Sequence, residues 1–229
     1  MELCIALDLP SSEENLQLLN SIKKYNNLWI KVGFRSYIRD GKDFLKRVKE
    51  INPNFKIFLD LKLYDIPNTL ADASEEIAKI GVDMFNIHAS SGQIAMQTVM
   101  ERLNKLNKRP LVLAVTALTS FNNETFKKIY NQDLDKAAIK FAKDAYLSSL
   151  DGVVCSAFES LKIKENTSKE FLTLTPGIRP FGEDANDQQR VATIDIAKKN
   201  LVDFIVVGRP IYKSSNPALK VKEILQAIN

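Results

Sequence analysis

The sequence is poor in the residues that build metal centres and disulfide frameworks. Its 229 residues include two cysteines, Cys4 and Cys155, and a single histidine, His88. Both cysteines lie in apolar runs, so they form neither a disulfide framework nor a metal-ligand set, and Cys155 is expected to be a small buried hydrophobe. Any histidine-based metal site or Ser–His triad would need His88. Whether His88 lines a pocket or only caps a hydrogen bond stays open at this point.

Long apolar runs and one-sided charge are also missing. No apolar run approaches the ~20 residues that a membrane span requires. The first residues, Met1-Glu2-Leu3-Cys4-Ile5, lack the charged segment and the long apolar stretch of a signal peptide. The net charge of +4 is spread along the chain, which suits an anionic ligand but not a nucleic-acid surface. We therefore expect a cytoplasmic protein with neither a membrane nor a nucleic-acid partner.

The overall composition is that of an ordinary globular protein. Hydrophobic residues make up 45% and charged residues 26%, with only eight glycines and eight prolines. A chain of this length buries about 70–75% of its unfolded surface, so it needs no disulfide or metal to fold. No linker, charge block or low-complexity tract divides the sequence. We expect one domain over residues 1–229.

Eight short apolar runs alternate with longer amphipathic stretches. Such continuous runs are typical of strands buried on both faces of a parallel sheet. Their ends recur about every 28 residues, which is enough for a strand, a crossover helix and two loops. Eight units favour a (β/α)8 TIM barrel over an open doubly wound sheet, and a capping box from Ser11 to Glu14 should start the first helix. The runs are Leu3–Leu9, Leu28–Val32, Lys56–Leu61, Met84–His88, Leu111–Thr116, Gly152–Cys155, Phe171–Thr175 and Phe204–Val207.

The third run carries the most informative pair of charges. Asp60 and Lys62 are two residues apart on a predicted strand, so both side chains should leave the same face while the leucines around them leave the other. Active sites of such barrels lie at the carboxyl ends of the strands, which places Lys31 and Asp8 within reach. Flanking carboxylates would keep Lys62 protonated. A fixed ammonium group can deliver a proton or stabilise a carbanion, whereas a simple ion pair at the strand end is the structural alternative.

Two glycine- and arginine-containing segments follow the last two runs. They are Thr175-Pro176-Gly177-Ile178-Arg179-Pro180 and Val207-Gly208-Arg209-Pro210. Barrels commonly bind phosphate in these loops, because glycine lets backbone N–H groups approach and arginine offers a bidentate charge. We expect a phosphate site here, with two plain turns as the alternative. The polar loop Arg179–Gln189 is long enough for either a lid or ordinary surface.

The block Asp60-Leu61-Lys62-Leu63-Tyr64-Asp65-Ile66-Pro67-Asn68-Thr69 resembles the D-x-K-x-x-D-I-P-N-T signature of the orotidine 5′-phosphate decarboxylase family. Further segments resemble the family's motifs, in its order and over nearly the whole chain, in the bacterial single-domain form. They are Leu7-Asp8, Lys31-Val32-Gly33, Asn86-Ile87-His88-Ala89, Val115-Thr116-Ala117-Leu118-Thr119-Ser120, Val153-Val154-Cys155-Ser156-Ala157 and the two segments after the seventh and eighth runs.

The resemblance implies an activity and a set of catalytic residues. The reaction would be loss of CO2 from orotidine 5′-monophosphate to give UMP, the last step of de novo pyrimidine biosynthesis, on a (β/α)8 barrel without a metal or organic cofactor. Lys62 would protonate C6 as CO2 departs, and Asp60 would lie near the departing carboxylate. Lys31 and Asp8 would hold these two groups and the ribose hydroxyls.

The resemblance also implies a homodimer with shared active sites. Asp65, Ile66 and Thr69 would reach into the partner's site, and Thr119 would contact the base or a lid. The phosphate would be held by four residues of the last two loops, with Gln188 on a closing loop: Arg179, Gln188, Gly208 and Arg209.

Two other functions compete with this one. The sugar-phosphate enzymes 3-keto-L-gulonate-6-phosphate decarboxylase and hexulose-phosphate synthase share the D-x-K-x-x-D pattern, but they carry an acidic residue for Mg²⁺ where this chain has Lys31. A non-catalytic phosphate-binding barrel would have no reason to keep Lys31, Asp60, Lys62 and Asp65 charged, since burying each ion costs several kcal/mol. Both considerations favour the cofactor-free decarboxylase.

Overall fold

The computed structural model describes residues 1–184 and 190–229, and its eight strands form one closed parallel barrel. Each strand pairs with the next in the chain, and the first pairs with the last, which removes every sheet edge. The predicted (β/α)8 fold is confirmed. The strands are β1 (Glu2–Ala6), β2 (Trp29–Gly33), β3 (Lys56–Leu63), β4 (Met84–His88), β5 (Leu111–Val115), β6 (Gly152–Val154), β7 (Leu172–Thr175) and β8 (Phe204–Val207).

Helices connect the strands. The predicted capping box is confirmed, since Ser11 Oγ accepts the Glu14 N–H and the Glu14 carboxylate accepts the Ser11 N–H. Within residues 1–184 and 190–229, no helix is both long and apolar enough to cross a bilayer. The helices are α1 (Ser12–Ile22), α2 (Phe34–Ile51, interrupted at Gly41), α3 (Pro67–Ile80), α4 (Gln93–Leu103), α5 (Asn123–Tyr130), α6 (Leu134–Leu147), α7 (Ala157–Asn166), α8 (Ile194–Lys199), α9 (Arg209–Tyr212) and α10 (Pro217–Ile228), with a 3₁₀ turn at Ala89–Ser91.

The first strand is shorter than the sequence predicts. It ends at Ala6, and the predicted continuation to Leu9 is wrong. The side chain of Asn15 accounts for this, because its amide accepts the Leu9 N–H and donates to the Leu9 carbonyl. The backbone at Leu9 is thus satisfied by a helix side chain rather than by a neighbouring strand.

The third strand departs from regular alternation at its carboxyl end. Lys62 has a φ of 48°, and the pairing of β3 with β4 shifts register between Leu59 and Leu63. The strand predicted to include Lys62 is present, but its backbone is irregular at that residue, and Lys62 contacts Asp60 as expected. Such irregularities re-aim side chains and are common beside active sites.

The apolar core has two layers. One lies between the barrel and its helices, and Cys155 belongs to it. The other fills the barrel interior with side chains that include Cys4, Trp29, Phe58 and Phe204. Both cysteines are buried as free thiols, and burial raises the pKa of each above its usual value, which matches the prediction that Cys155 acts as a small hydrophobe.

The amino-terminal end of the barrel is held by three aspartates that directly precede β4, β6 and β8. Each carboxylate accepts a backbone N–H from the preceding strand at 2.7–2.8 Å and pairs with a cation at 2.6–3.1 Å. We call these groups the basal clamps. They are Asp83 with Ile57 and Lys49, Asp151 with Val112 and Arg109, and Asp203 with Thr173 and Lys164.

Candidate active site

A cavity of about 300 Å³ opens at the carboxyl ends of the strands. Its floor is apolar and is formed by interior side chains such as Phe58, Val154 and Leu174. Its walls carry groups of both signs, which suits a ligand with an anionic part and a polar ring. The charged side chains in the walls are Asp8, Lys31, Asp60, Lys62, Arg179 and Arg209.

Four of these groups form a row of alternating charge, which we call the charge chain: Asp8, Lys31, Asp60 and Lys62. Lys31 Nζ lies 3.2 Å from Asp8 Oδ1 and 3.4 Å from Asp60 Oδ2. Lys62 Nζ lies 2.7 Å from Asp60 Oδ1. The structure therefore brings together the four residues that the sequence singled out from three different strands and loops.

Electrostatics hold the two central members of the charge chain ionised. Burial disfavours charge on Lys31, but the carboxylates of Asp60 and Asp8 outweigh it and raise the pKa of Lys31 above its usual value. Burial likewise disfavours charge on Asp60, but Lys31 and Lys62 lower its pKa below the ordinary range. An ammonium and a carboxylate are thus both present at neutral pH in a largely desolvated pocket.

Gly33 leaves the space in which the Lys31 ammonium lies. A Cβ atom at this position would be 3.0 Å from Lys31 Nζ and 3.7 Å from Asp8 Oδ1. Such a contact is tight, so a side chain here would push the ammonium away from its carboxylate partners. The glycine at the end of β2 is therefore part of the site's geometry.

Asn86 is a site residue for which the sequence predicted no role, although it belongs to a segment that resembles a family motif. It lies in β4 and is fully buried. Its amide nitrogen donates to Asp60 Oδ1 at 2.8 Å, and its amide oxygen accepts the backbone N–H of Lys62 at 2.7 Å. The available signal was a polar amide in the middle of the apolar run Met84–His88, since buried amides need specific partners.

His88 caps a turn rather than lining the cavity. Its Nδ1 lies 2.6 Å from Ser90 Oγ and accepts the Ser90 N–H, and its ring packs against Tyr64 with centroids 5.9 Å apart. Burial and then the charge of Lys62 lower the pKa of His88 below its usual value. Of the two alternatives left open by the sequence, the structure favours the hydrogen-bonding cap.

The rest of the cavity wall comes from the loops after β5, β7 and β8. Thr119 is buried there, and Gly208 and Arg209 lie at the start of α9. Arg179 is 5% exposed, and its guanidinium donates to the carbonyls of Asp184 at 2.5 Å and Ile178 at 3.1 Å. The predicted phosphate residues Arg179, Gly208 and Arg209 thus share one wall, whereas Gln188 lies outside the described residues.

Three predicted site residues do not line the cavity of their own chain. Asp65 and Ile66 lie on the β3–α3 connection and Thr69 lies in the first turn of α3, and all three are exposed. Asp65 Oδ1 accepts the Ile66 N–H at 2.7 Å. Ile66 is 68% exposed despite its apolar side chain. A single chain therefore gives these residues no contact with the charge chain.

Arg190 joins helix α7 to the loop after β5 beside the cavity. Arg190 pairs with Glu159 in α7, and it also donates to the carbonyl of Leu118, next to Thr119. Glu159 is buried, and this burial raises the pKa of its carboxyl despite Arg190. The sequence offered no signal for this contact, because Glu159 fits the capping box of α7 equally well.

Within the two described ranges, no group of three histidine, cysteine, aspartate or glutamate side chains is arranged to hold a metal ion. The ammonium of Lys31 lies between the carboxylates of Asp8 and Asp60. A divalent cation at that point would meet a positive charge already in place.

Comparison with known proteins gives consistent results over the whole length of the chain. The family model described as orotidine 5′-phosphate decarboxylase / HUMPS family matches residues 1–224. The orotidine 5′-phosphate decarboxylase of Sulfurovum sp. is 67% identical over 229 residues, covering 100% of this chain and 99% of that protein. That of Campylobacter jejuni subsp. doylei is 60% identical over 228 residues, covering 100% of both. The solved structure of the Lactobacillus acidophilus orotidine 5′-phosphate decarboxylase superposes with a TM-score of 0.86 at 32% identity, covering 100% of this chain and 99% of that one.

Proposed function

Because the chain belongs to the orotidine 5′-phosphate decarboxylase / HUMPS family, we propose that it removes CO2 from orotidine 5′-monophosphate to give UMP, with Lys62 as the proton donor. Its similarity to full-length orotidine 5′-phosphate decarboxylases identifies the chain as a decarboxylase. Such an enzyme belongs to the lyase class and acts in pyrimidine biosynthesis. The observation that carries the mechanism is the charge chain, in which Asp60 lies 2.7 Å from the Lys62 ammonium at the wall of the cavity.

The chemistry of the reaction calls for a fixed positive charge. When the bond between C6 and the carboxylate carbon breaks, its electron pair remains in an sp² orbital that the ring π-system cannot delocalise. A preorganised ammonium stabilises this pair, and the pair then takes a proton from Lys62 Nζ as CO2 leaves. Lys62 afterwards regains a proton from water. One lysine thus serves as electrostatic stabiliser and general acid.

The other members of the charge chain orient Lys62 and the substrate. Asp60 holds Lys62 Nζ by a charged hydrogen bond and would lie near the departing carboxylate. Lys31 balances Asp60, and Asp8, whose side chain is 48% exposed, is available for the ribose hydroxyls. Each of these roles depends on the row of opposite charges remaining intact.

Phosphate binding belongs to the loops after β7 and β8. Arg179, Gly208 and Arg209 would hold the phosphate together with Gln188, and Thr119 would contact the base or a lid. Binding energy from a phosphate remote from C6 can be used to order the reacting groups, so a truncated substrate should lose turnover as well as affinity.

The proposal also includes a homodimer. The single domain over residues 1–229 and the cytoplasmic location are further proposals, and both are inferred from the sequence. Asp65, Ile66 and Thr69 are exposed, and the apolar side chains of Tyr64 and Phe34 near the mouth are exposed as well. Mixing inactive Lys62→Ala and Asp65→Ala chains should restore part of the activity if these residues serve a partner's site. Heterodimers that form and remain inactive would refute the shared site.

The assay for the function follows the ultraviolet absorbance of orotidine 5′-monophosphate with purified protein and excess EDTA. We expect the absorbance to fall, with CO2 and UMP formed in equal amounts. A flat trace from folded protein would contradict the proposal, and addition of Mg²⁺ with sugar-phosphate substrates would then test the metal-dependent alternatives. The position of Lys31 between Asp8 and Asp60 argues against those alternatives.

A further inference from the structure

The neutral side-chain amide of Asn86 contacts the charge chain at the Asp60 carboxylate. Asp60 Oδ1 accepts one hydrogen bond from Lys62 Nζ at 2.7 Å and a second from Asn86 Nδ2 at 2.8 Å. Its other oxygen lies 3.4 Å from Lys31 Nζ. The hydrogen bond from the Asn86 amide therefore fixes the rotation of the Asp60 carboxylate between Lys31 and Lys62 without adding charge to the site.

The same amide also satisfies the backbone that carries Lys62. Because Lys62 has a left-handed conformation and the β3–β4 pairing breaks between Leu59 and Leu63, its N–H lies outside the regular ladder. A buried N–H group needs a partner, and Asn86 Oδ1 accepts this one at 2.7 Å. One side chain thus supports both the carboxylate and the strained residue that should donate the proton.

We propose that Asn86 is a positioning residue for decarboxylation, whose two hydrogen bonds hold the Asp60 carboxylate and the Lys62 backbone in the geometry of proton transfer. This inference rests on the proposed function, because it assumes that Lys62 donates the proton. It adds a residue of β4 to a charge chain otherwise built on β2, β3 and the segment after β1.

Asparagine is suited to this place because it offers one donor and one acceptor at the same reach. Leucine of similar size would leave the Lys62 N–H and one Asp60 bond unmade. Aspartate could still accept from Lys62, but it would set a second carboxylate against Asp60. Two carboxylates so close retain a shared proton, and the protonated form restores a donor where the amide nitrogen was.

The decisive variant is therefore Asn86→Asp, measured as the ratio of its kcat to that of the wild type across pH. We expect the ratio to be about 0.01 near pH 8 and to rise about tenfold toward pH 5.5, while KM stays within about threefold. Asn86→Leu should lose about as much activity at every pH, because it cannot regain a donor.

The ratio isolates the new carboxyl from the titrating groups already present. Those that face Asp60 are Lys31 of β2, Lys62 of β3, Asp8 after β1 and the Cys4 thiol of β1, while His88 of β4 senses Lys62. They are common to both proteins, so their direct titration largely cancels in the ratio.

Asn52→Asp is the matched control. Asn52 is also a buried asparagine, but its amide donates to the Lys23 carbonyl at 2.9 Å and accepts the Asn54 N–H at 2.9 Å, in a loop after α2. We expect this variant to lose stability and keep the wild-type kcat, with a ratio that does not change with pH.

The outcomes separate this inference from the proposed function. A wild-type protein that does not release CO2 contradicts the proposed function itself. An active wild type whose Asn86→Asp variant keeps normal kcat, or loses kcat by a factor that is constant with pH, overturns the positioning role. If Asn86→Leu does not fold, as judged by its unfolding midpoint, the pH dependence of Asn86→Asp decides the matter alone.

Discussion

Both ends of the barrel place carboxylates beside cations, but the partners of those carboxylates differ. In the basal clamps, each aspartate accepts a backbone N–H from the neighbouring strand in addition to its ion pair. At the mouth, the partners of Asp60 within residues 1–184 and 190–229 are the side chains of Lys31, Lys62 and Asn86. A clamp ties the backbone of one strand to the next, whereas the charge chain joins side chains to one another.

This difference separates stability from activity. Removing a carboxylate that accepts a backbone N–H destabilises the fold, because a buried donor is left without a partner. A carboxylate that contacts only side chains can exchange its partners for those of a ligand. We therefore expect changes at the mouth to alter turnover with little effect on unfolding, and changes at the base to do the opposite.

The largest expected effect belongs to Lys62→Ala. Loss of the proton donor and of the positive charge at C6 should lower kcat by a factor of about 10⁵, while ligand binding and the urea unfolding midpoint stay close to those of the wild type. Stopped assays with concentrated enzyme and a parallel urea titration measure both quantities. Normal turnover in this variant would remove the role assigned to Lys62.

At the base, Lys164→Met should destabilise the fold by about 2–3 kcal/mol. Lys164 is 7% exposed and donates to the carbonyls of Lys169 and Phe171 as well as to Asp203. The free energy of unfolding from urea titration should fall while kcat is unchanged. Lys140→Met, which removes an exposed pair with Asp144, is the control and should change stability by less than about 0.5 kcal/mol.

Gly33→Ala should have a smaller effect than either of these variants and should act on activity alone. Its Cβ would meet Lys31 Nζ at 3.0 Å, and the flexible lysine can yield by a few tenths of an ångström. Because small misplacements of catalytic groups are costly, we expect kcat to fall about five- to tenfold. The unfolding midpoint should hardly move, and a variant that is destabilised but fully active would contradict the reasoning.

The smallest effect should appear in the pH dependence of stability. Burial and the charge of Lys62 lower the pKa of His88, so the unfolded chain takes up this proton first as pH falls. The contribution of neutral His88 is complete above about pH 6.5 and is lost as pH falls through the lower folded-state pKa. His88→Gln should therefore flatten the decline of unfolding free energy below about pH 6.5 relative to the wild type. Parallel slopes in the two proteins would refute the assignment.

The fold and the charge chain were predictable from sequence because both depend on local patterns. Buried parallel strands appear as apolar runs, and strand-end charges follow them at once, as Asp60 and Lys62 show. In the sequence, the long interval between β5 and β6 appears only as a wider spacing between the fifth and sixth apolar runs. In the structure it contains two helices, α5 and α6, with an aromatic cluster around Phe126.

What the sequence did not predict depends on contacts between distant segments. The N–H of the left-handed Lys62 is accepted by Asn86, which is 24 residues away. An amide within an apolar run indicates a buried partner but does not identify it. The pairing of Arg190 with Glu159 joins residues 31 apart, and neither position carries a local pattern that announces it. Such pairs are fixed by tertiary packing, which periodicity does not report.

Closure of the barrel has a consequence for how the chain is made. β1 pairs with β8 from Glu2↔Phe204 to Ile5↔Val207, so β1, which is synthesised before the other strands of the barrel, receives its second neighbour only after roughly 200 further residues. At about 5–20 residues per second, that wait is on the order of 10–40 s. During it, the nascent chain is an open sheet with a bare, apolar amino-terminal edge, which is the form most prone to associate with other chains. A holding chaperone would therefore protect the newborn protein most at its first strand.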